Sequence, residues 1–162
     1  MSSLLFLQSD DFLLRKGEQG QLLCHDIRGF SLVLFYSTQC VYCQQIIPIF
    51  KRLPDIVNGC QFGMINVSMN KQLIRLSHSS ITPIEYVPLV ILYINGTPYM
   101  RYDGPTEENE IRRFILEVSN RVQKSGFSNV TKEKGIPAYT IGNPLCGEGN
   151  VCYLEFDEAY TT

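Results

Sequence analysis

The chain has 162 residues, of which 44% are hydrophobic and 19% are charged, and because a domain has roughly 150 residues, the length predicts one domain plus a remainder. Its 14 Lys and Arg residues against 16 Asp and Glu residues give a net charge of -2, so no surplus of positive charge is available for nucleic acid or for an anionic membrane. The apolar content excludes a disordered chain.

The N-terminal segment lacks the pattern of a secretory signal, because the apolar run 4–7 is interrupted by the polar residues 8–11. The longest apolar run, Leu89–Ile94, is far shorter than the roughly 18–20 residues that span a bilayer. We therefore expect a cytoplasmic protein. Residues 4–7 are a candidate edge strand, and 9–14 carry the N-cap and first-turn acids of a short helix.

The middle of the chain alternates between strand and helix patterns. Residues 30–36 form a nearly continuous apolar run, which is typical of a strand covered on both faces. Residues 43–53 have apolar side chains at helical spacing, 62–67 is a second candidate strand, and Asn70 is a candidate cap for another helix. This order predicts an α/β domain.

The next part of the chain predicts a β-hairpin followed by a helix. The apolar run 88–93 and the segment 99–102 flank Asn95-Gly96, which is a strong hairpin signal. Residues 107–122 begin with acidic side chains and carry one apolar stripe. We predict that this helix completes a domain over residues 1–124.

The composition changes after this domain. Five of the twelve glycines and two of the eight prolines fall between residues 125 and 150, without a helical or alternating pattern. We therefore predict an irregular Gly/Pro-rich C-terminal tail over 125–162. Its end, 151–156, alternates weakly and is a candidate strand or docking segment.

Two of the six cysteines, Cys40 and Cys43, have the CxxC spacing of a redox dithiol. Cys40 falls at the predicted start of a helix, where unpaired N–H groups and the helix dipole stabilise a thiolate. Cys43 follows one turn later and is placed to resolve a mixed disulfide. We expect both to be catalytic, with no cofactor. A zinc site is disfavoured because no second close cysteine pair accompanies this one.

The other four cysteines predict different roles. Cys24 and Cys60 lie in apolar, strand-like segments and are expected to be packing residues. Cys146 and Cys152 are candidates for a disulfide that closes a loop in the tail. The alternatives for this tail pair are a second dithiol, which relays electrons to the first, and two free thiols.

Three separated features resemble the thioredoxin superfamily. They are the CxxC motif after a strand with Pro48 in the following helix, Val87-Pro88 at the family's cis-proline site, and Asn95-Gly96 in the hairpin with Gly104 before the last helix. The resemblance covers residues 30–122 and implies a thioredoxin fold, a central mixed sheet flanked by helices. It also implies that Val87 and Pro88 align an extended substrate peptide, and Tyr42 is a further candidate for substrate contact. A glutaredoxin pattern fits less well, because the paired glycines after its hairpin are absent.

The sequence departs from the thioredoxin pattern close to the motif. Leu34 occupies the strand position of the family's buried Asp, Gln39 replaces the Trp before the first cysteine, and the inner dipeptide is Val-Tyr. Residues 77–86 lengthen the segment before the cis-proline site. These departures weaken the expectation of an efficient general reductase.

The expected function is thiol-disulfide exchange with protein cysteines. The whole-chain pattern, including the ending at 152–160, is similar to thioredoxin-like proteins of large cytoplasmic double-stranded DNA viruses, which implies a viral factory and packaging in the virion. The alternative is a thioredoxin-fold binding or structural protein, such as a minor capsid component, whose tail contacts other particle proteins with little or no redox turnover. A third reading is an adaptor for another enzyme.

Overall fold

The computed structural model describes residues 4–17, 20–125, 138–140 and 151–153. In chain order the elements are β1 (Leu4–Phe6), β2 (Leu13–Lys16), β3 (Gln21–Cys24), β4 (Phe30–Tyr36), α1 (Val41–Ile56), β5 (Cys60–Asn66), α2 (Lys71–Ser77), β6 (Tyr86–Val87), β7 (Leu89–Ile94), β8 (Thr97–Asp103), α3 (Glu108–Ser125), β9 (Ala138–Thr140) and β10 (Cys152–Tyr153). Short 3-10 turns precede β2 and α2. In these described parts, no helix is both long and apolar enough to cross a membrane.

A six-stranded mixed sheet in the order β1-β5-β4-β7-β8-β9 forms the centre of the protein. Strands β1, β5 and β4 run parallel, whereas β7 is antiparallel to both β4 and β8. The predicted central mixed sheet is therefore present. Its register places Phe35 of β4 opposite Leu89 of β7, so the end of β4 and the start of β7 meet at one edge.

The side chains of β4 alternate between two apolar clusters, one on each face of the sheet. Leu32 and Leu34 belong to the cluster that contains α1 and α3, including Phe114. Val33 and Phe35 belong to the cluster that contains α2. Both faces of β4 are thus covered, which explains its continuous apolar sequence.

The prediction of a short helix over residues 9–14 is wrong. Asp11 lies in a 3-10 turn and accepts a hydrogen bond from the Gln8 N–H at 2.8 Å, and the chain then enters β2. Strand β2 pairs antiparallel with β3, so that Leu13 lies opposite Cys24. The polar residues form only one 3-10 turn, because pairing of β2 with β3 determines the structure that follows.

The predicted hairpin and the two described parts of the tail all extend β-structure. Asn95 and Gly96 adopt φ of 51° and 84° in the turn between β7 and β8, which is the conformation that favours Asn-Gly. Strand β9 pairs in parallel with β8, and β10 pairs antiparallel with β6. Residues 138–140 and 152–153 are therefore strands within the predicted irregular tail, whereas a domain boundary at residue 124 stays a prediction.

Candidate functional site

Cys40 lies in the short connection between β4 and α1 and is the N-cap residue of α1. Its N–H donates to the carbonyl of Ser37 at 3.3 Å, and its own carbonyl accepts from the Gln44 N–H at 3.1 Å. The Gln44 side chain also donates to the carbonyl of Thr38 at 2.9 Å. These bonds fix the backbone at the helix start, a position where the helix dipole favours the thiolate form of a reduced cysteine.

The cis-proline loop lies directly beside Cys40. The peptide bond between Val87 and Pro88 is cis, as the family resemblance implied, and both residues are buried. The carbonyl oxygen of Val87 lies 3.7 Å from the sulfur of Cys40. The two residues are brought together because β4 and β7 are neighbours in the sheet and meet at this edge.

Cys43 is a free thiol, and its side chain is completely buried. Burial raises the pKa of this thiol to about 11, although a hydrogen bond from the Ser37 N–H, 3.4 Å from the sulfur, acts in the opposite direction. Leu34, at the strand position that carries an acid in thioredoxins, is also completely buried in an apolar cluster. Because leucine has no ionisable group, this position holds no charge. Cys43 is therefore a neutral thiol at physiological pH.

Two serines missed by the sequence predictions support this site. The hydroxyls of Ser37 and Ser68 lie 2.7 Å apart, and the Ser37 hydroxyl also accepts from the Gln39 N–H at 3.3 Å. Ser68 is held by its own N–H, which donates to the Asn66 side chain at 3.0 Å. Ser37 and Ser68 are 31 positions apart, so no local pattern could have indicated the pair; the place of Ser37 directly after a strand was the available signal.

The sulfur of Cys40 is bonded to Cys152 rather than to Cys43. The predicted Cys146–Cys152 disulfide is therefore not the pairing in this structure, and Cys146 itself lies outside the described residues. Pairing of β10 with β6 places Cys152 opposite Val87, next to Cys40. Strand pairing thus brings together two cysteines that are 112 positions apart, and a prediction based on proximity in sequence cannot identify such a pair.

The remaining candidates fall into two groups. Tyr42 is half-buried and packs against the cluster that contains Cys43, and its contact with substrate stays a prediction. Cys24 and Cys60 are buried free thiols, as expected for packing residues, and burial raises the pKa of Cys60 to about 12. In the described parts of the chain, no group of three or more His, Cys, Asp or Glu side chains is arranged to hold a metal ion.

Comparison with known protein families and sequences gives consistent matches. The thioredoxin family model matches residues 22–117. Uncharacterized protein 196R of Invertebrate iridescent virus 6 is 38% identical over 99% of this chain and 95% of its own length. Uncharacterized protein 020R of Invertebrate iridescent virus 3 is 32% identical over 97% of this chain and 96% of its own length. The predicted resemblance to viral proteins is confirmed.

Solved structures share the fold. The N21Q mutant thioredoxin from Halobacterium salinarum NRC-1 matches 71% of this chain and 89% of its own, with a TM-score of 0.52 and 18% identity. Form II of human ERp44 matches 56% of this chain with a TM-score of 0.50 and 20% identity, and the match spans a quarter of the ERp44 chain. The predicted fold class is therefore confirmed.

Proposed function

Because this chain belongs to the thioredoxin family, whose fold supports thiol-disulfide exchange, we propose that it is an oxidoreductase that acts on protein cysteines through Cys40 and Cys43. One observation carries the proposal: Cys40 starts a helix, lies 3.7 Å from the carbonyl oxygen of Val87 and is bonded to a cysteine from a distant part of the chain. A sulfur in this position can form a disulfide with a cysteine in an extended segment, as it does with Cys152.

The reaction transfers two electrons in two exchange steps. The thiolate of Cys40 attacks one sulfur of a substrate disulfide, that bond breaks, and the departing sulfur takes up a proton. Cys43 then loses its proton and attacks the sulfur of Cys40. The mixed disulfide breaks, a disulfide between Cys40 and Cys43 forms, and the second substrate sulfur leaves as a thiolate and is protonated. The substrate is reduced and the dithiol is oxidised.

The second step is expected to be slow. With a pKa of about 11, roughly one Cys43 in ten thousand is a thiolate at neutral pH. Leu34 provides no carboxylate to accept the proton. We infer that mixed disulfides on Cys40 live longer than they would with a base beside Cys43.

The substrate is positioned by the backbone of the cis-proline loop. Tyr86 and Val87 form a short strand that accepts an antiparallel partner, and an extended peptide that pairs there places its cysteine at Cys40. Half-buried Tyr42, two residues after Cys40, is available for a side-chain contact. Protein substrates are expected because the interaction depends on main-chain pairing.

Insulin reduction driven by dithiothreitol tests this proposal. Wild-type protein should accelerate the reaction, and Cys40→Ser should reduce it to the rate without protein. Cys60→Ala is the matched control and should retain wild-type turnover. Cys60 is paired with Phe30 at the start of β4, whereas the site lies after the other end of β4, where Tyr36 pairs with Asn66. Equal rates with wild-type protein and Cys40→Ser would contradict catalysis through this sulfur.

A second candidate function is a structural role in a viral particle. Similarity to 196R covers 99% of this chain and so continues past residue 117 through the tail, which supports a role that needs the whole chain. This candidate includes residence in a cytoplasmic viral factory and assembly contacts through the tail. A fixed, stoichiometric number of copies per purified particle, unchanged by Cys40→Ser, would favour it over the enzyme.

A further inference from the structure

The cis-proline edge already carries a strand of the same chain. In the pairing of β10 with β6, Cys152 lies opposite Val87 and Tyr153 lies opposite Tyr86. Because Val87 also contacts the sulfur of Cys40, Cys152 takes the position that the proposed mechanism gives to a substrate cysteine.

Two further contacts hold this strand. Val151 is only 7% exposed and belongs to the apolar cluster on the α1 and α3 side of the sheet, against which Tyr86 also packs. Cys152 is half-buried and packs against the opposite cluster. Backbone pairing, burial of an apolar side chain and a covalent bond thus act together at one place, which distinguishes a bound peptide from a chance cysteine contact.

We propose that β10 is an intramolecular substrate strand and that Cys152 is a third redox cysteine, which exchanges with Cys40 and Cys43. This proposal rests on the proposed oxidoreductase function and adds the occupant of its site. The tail then competes with external substrates for the same edge and the same sulfur.

The exchange needs no external oxidant or reductant. Cys43 loses its proton and its thiolate attacks the sulfur of Cys40, so that the Cys40–Cys152 bond breaks and a Cys40–Cys43 bond forms. Cys152 leaves as a thiolate and is protonated. The number of disulfides is unchanged, and β10 loses its covalent attachment to the site. The reverse exchange closes the site again. Because burial raises the pKa of Cys43, this exchange is expected to be slow at neutral pH.

The occupied site also indicates the class of external substrate. Val151 and Cys152 define a cysteine in an extended segment, preceded by a branched apolar residue that becomes buried. A protein segment of this kind reproduces the contacts of β10. An acidic residue before the cysteine would be desolvated without a partner and is disfavoured.

Disulfide mapping by mass spectrometry is the first test, on full-length protein equilibrated in glutathione buffer. Cys43→Ala, which removes the resolving sulfur, should contain a Cys40–Cys152 disulfide as its main species. Cys146→Ser, in the same tail, is the matched control, and it should leave the abundance of the Cys40–Cys152 disulfide unchanged. If Cys152 is instead bonded to Cys146 or free in Cys43→Ala, the proposal is overturned.

Exchange with a probe peptide is the second test. The probe is a synthetic peptide of residues 150–154 that carries glutathione on its cysteine, and the measured quantity is its rate of reaction with pre-equilibrated protein. Cys152→Ser should react about tenfold faster than wild-type protein, because an intramolecular competitor has an effective concentration near millimolar. Cys146→Ser should match the wild-type rate.

The outcomes separate this inference from the proposed function. If wild-type protein and Cys152→Ser react with the peptide at the same rate, the oxidoreductase stands and the intramolecular substrate is overturned. If neither protein reacts with the peptide, the oxidoreductase itself is contradicted, and a redox role for Cys152 falls with it.

Discussion

The carbonyl oxygen of Val87 lies 3.7 Å from the sulfur of Cys40, although the two residues are 47 positions apart. The sheet register produces this contact, since Phe35 and Leu89 pair at the ends of β4 and β7. The same carbonyl belongs to the residue opposite Cys152. One short edge therefore combines the reactive sulfur, the peptide-binding backbone and the strand that occupies it.

Burial of Val151 should control how often the tail occupies this edge. Val151→Asp puts a charge into an apolar cluster, and burial of a Val side chain contributes about 1.5–3 kcal/mol, so the ratio of Cys40–Cys152 to Cys40–Cys43 disulfide should fall at least tenfold. Mass spectrometry after equilibration in a fixed glutathione buffer measures this ratio. Leu116→Asp, at an exposed apolar position of α3, is the control and should leave the ratio unchanged. An unchanged ratio in Val151→Asp would mean that docking of β10 does not depend on this side chain.

The thiol of Cys43 should react slowly at neutral pH. In Cys40→Ser, the rate of alkylation of Cys43 by iodoacetamide should rise about tenfold per pH unit and level off only near pH 11, where this thiol ionises. Peptide mapping at each pH gives the rate at Cys43 separately from the other cysteines. The same protein in urea should level off near the ordinary thiol pKa of about 8.5. A plateau between pH 8 and 9 in the folded protein would contradict the buried, neutral thiol.

His25 is a buried histidine whose hydrogen bonds define one neutral tautomer. Its ring packs between Phe12 and Tyr93, with centroid distances of 5.8 Å and 4.3 Å. The Ile27 N–H donates to Nδ1 at 3.1 Å, so the ring proton lies on Nε2, which is 3.2 Å from the Ser31 hydroxyl. Burial lowers the pKa of His25 to about 4.

The stability of the fold should therefore fall in mild acid. Between pH 6.5 and 4 the unfolded state, whose histidine has a pKa of about 6.5, binds more protons than the folded state. The contribution of neutral His25 to the free energy of unfolding is therefore complete above pH 6.5 and is lost as the pH falls through that range. The expected loss is up to about 3 kcal/mol in the free energy of unfolding. Urea unfolding at several pH values measures it, and His25→Gln should show a correspondingly flatter dependence. Parallel curves for the two proteins would exclude His25 as the cause.

Two glycines with similar backbone angles should differ strongly in their tolerance of a side chain. A Cβ at Gly96 would lie 1.8 Å from the carbonyl oxygen of His25, whereas a Cβ at Gly59 would have no atom within 4 Å; their φ angles are 84° and 81°. Gly59→Ala should cost about 1–2 kcal/mol for the left-handed conformation alone. Gly96→Ala should cost at least about 3 kcal/mol or abolish cooperative unfolding. Urea denaturation compares the two, and equal costs would contradict the close approach at the hairpin.

Much of the fold could be predicted because its signals are local. The apolar run of β4, the stripe of α3 and the Asn95-Gly96 turn each correspond to an observed element. The N-terminal hairpin could not be predicted in this way, because β2 is fixed by pairing with β3 rather than by the acids that precede it. These two strands are only four residues each and lack a clear alternating pattern, so their pairing leaves little trace in the sequence.

The candidate site was predictable only in part for the same reason. The spacing of Cys40 and Cys43 and the Val87-Pro88 pair identified the CxxC motif and the cis-proline loop, which meet in the structure. The place of Cys152 depends on its pairing with Val87, 65 positions earlier, whereas sequence proximity favoured Cys146 as its partner. Ser68, which contacts Ser37 from the 3-10 turn after β5, was missed for the same physical reason.

A trapped mixed disulfide with oxidised insulin tests the central claim most directly. Reduced protein that carries both Cys43→Ser and Cys152→Ser is mixed with insulin, quenched with acid and mapped by mass spectrometry; Cys152 is removed because it can itself release a substrate from Cys40. If Cys40 is the attacking sulfur and Cys43 resolves, this variant accumulates an adduct through Cys40, whereas Cys152→Ser protein with Cys43 intact contains mainly the Cys40–Cys43 disulfide and reduced insulin under the same conditions. An adduct through any other cysteine, or no difference between the two proteins, would contradict the account.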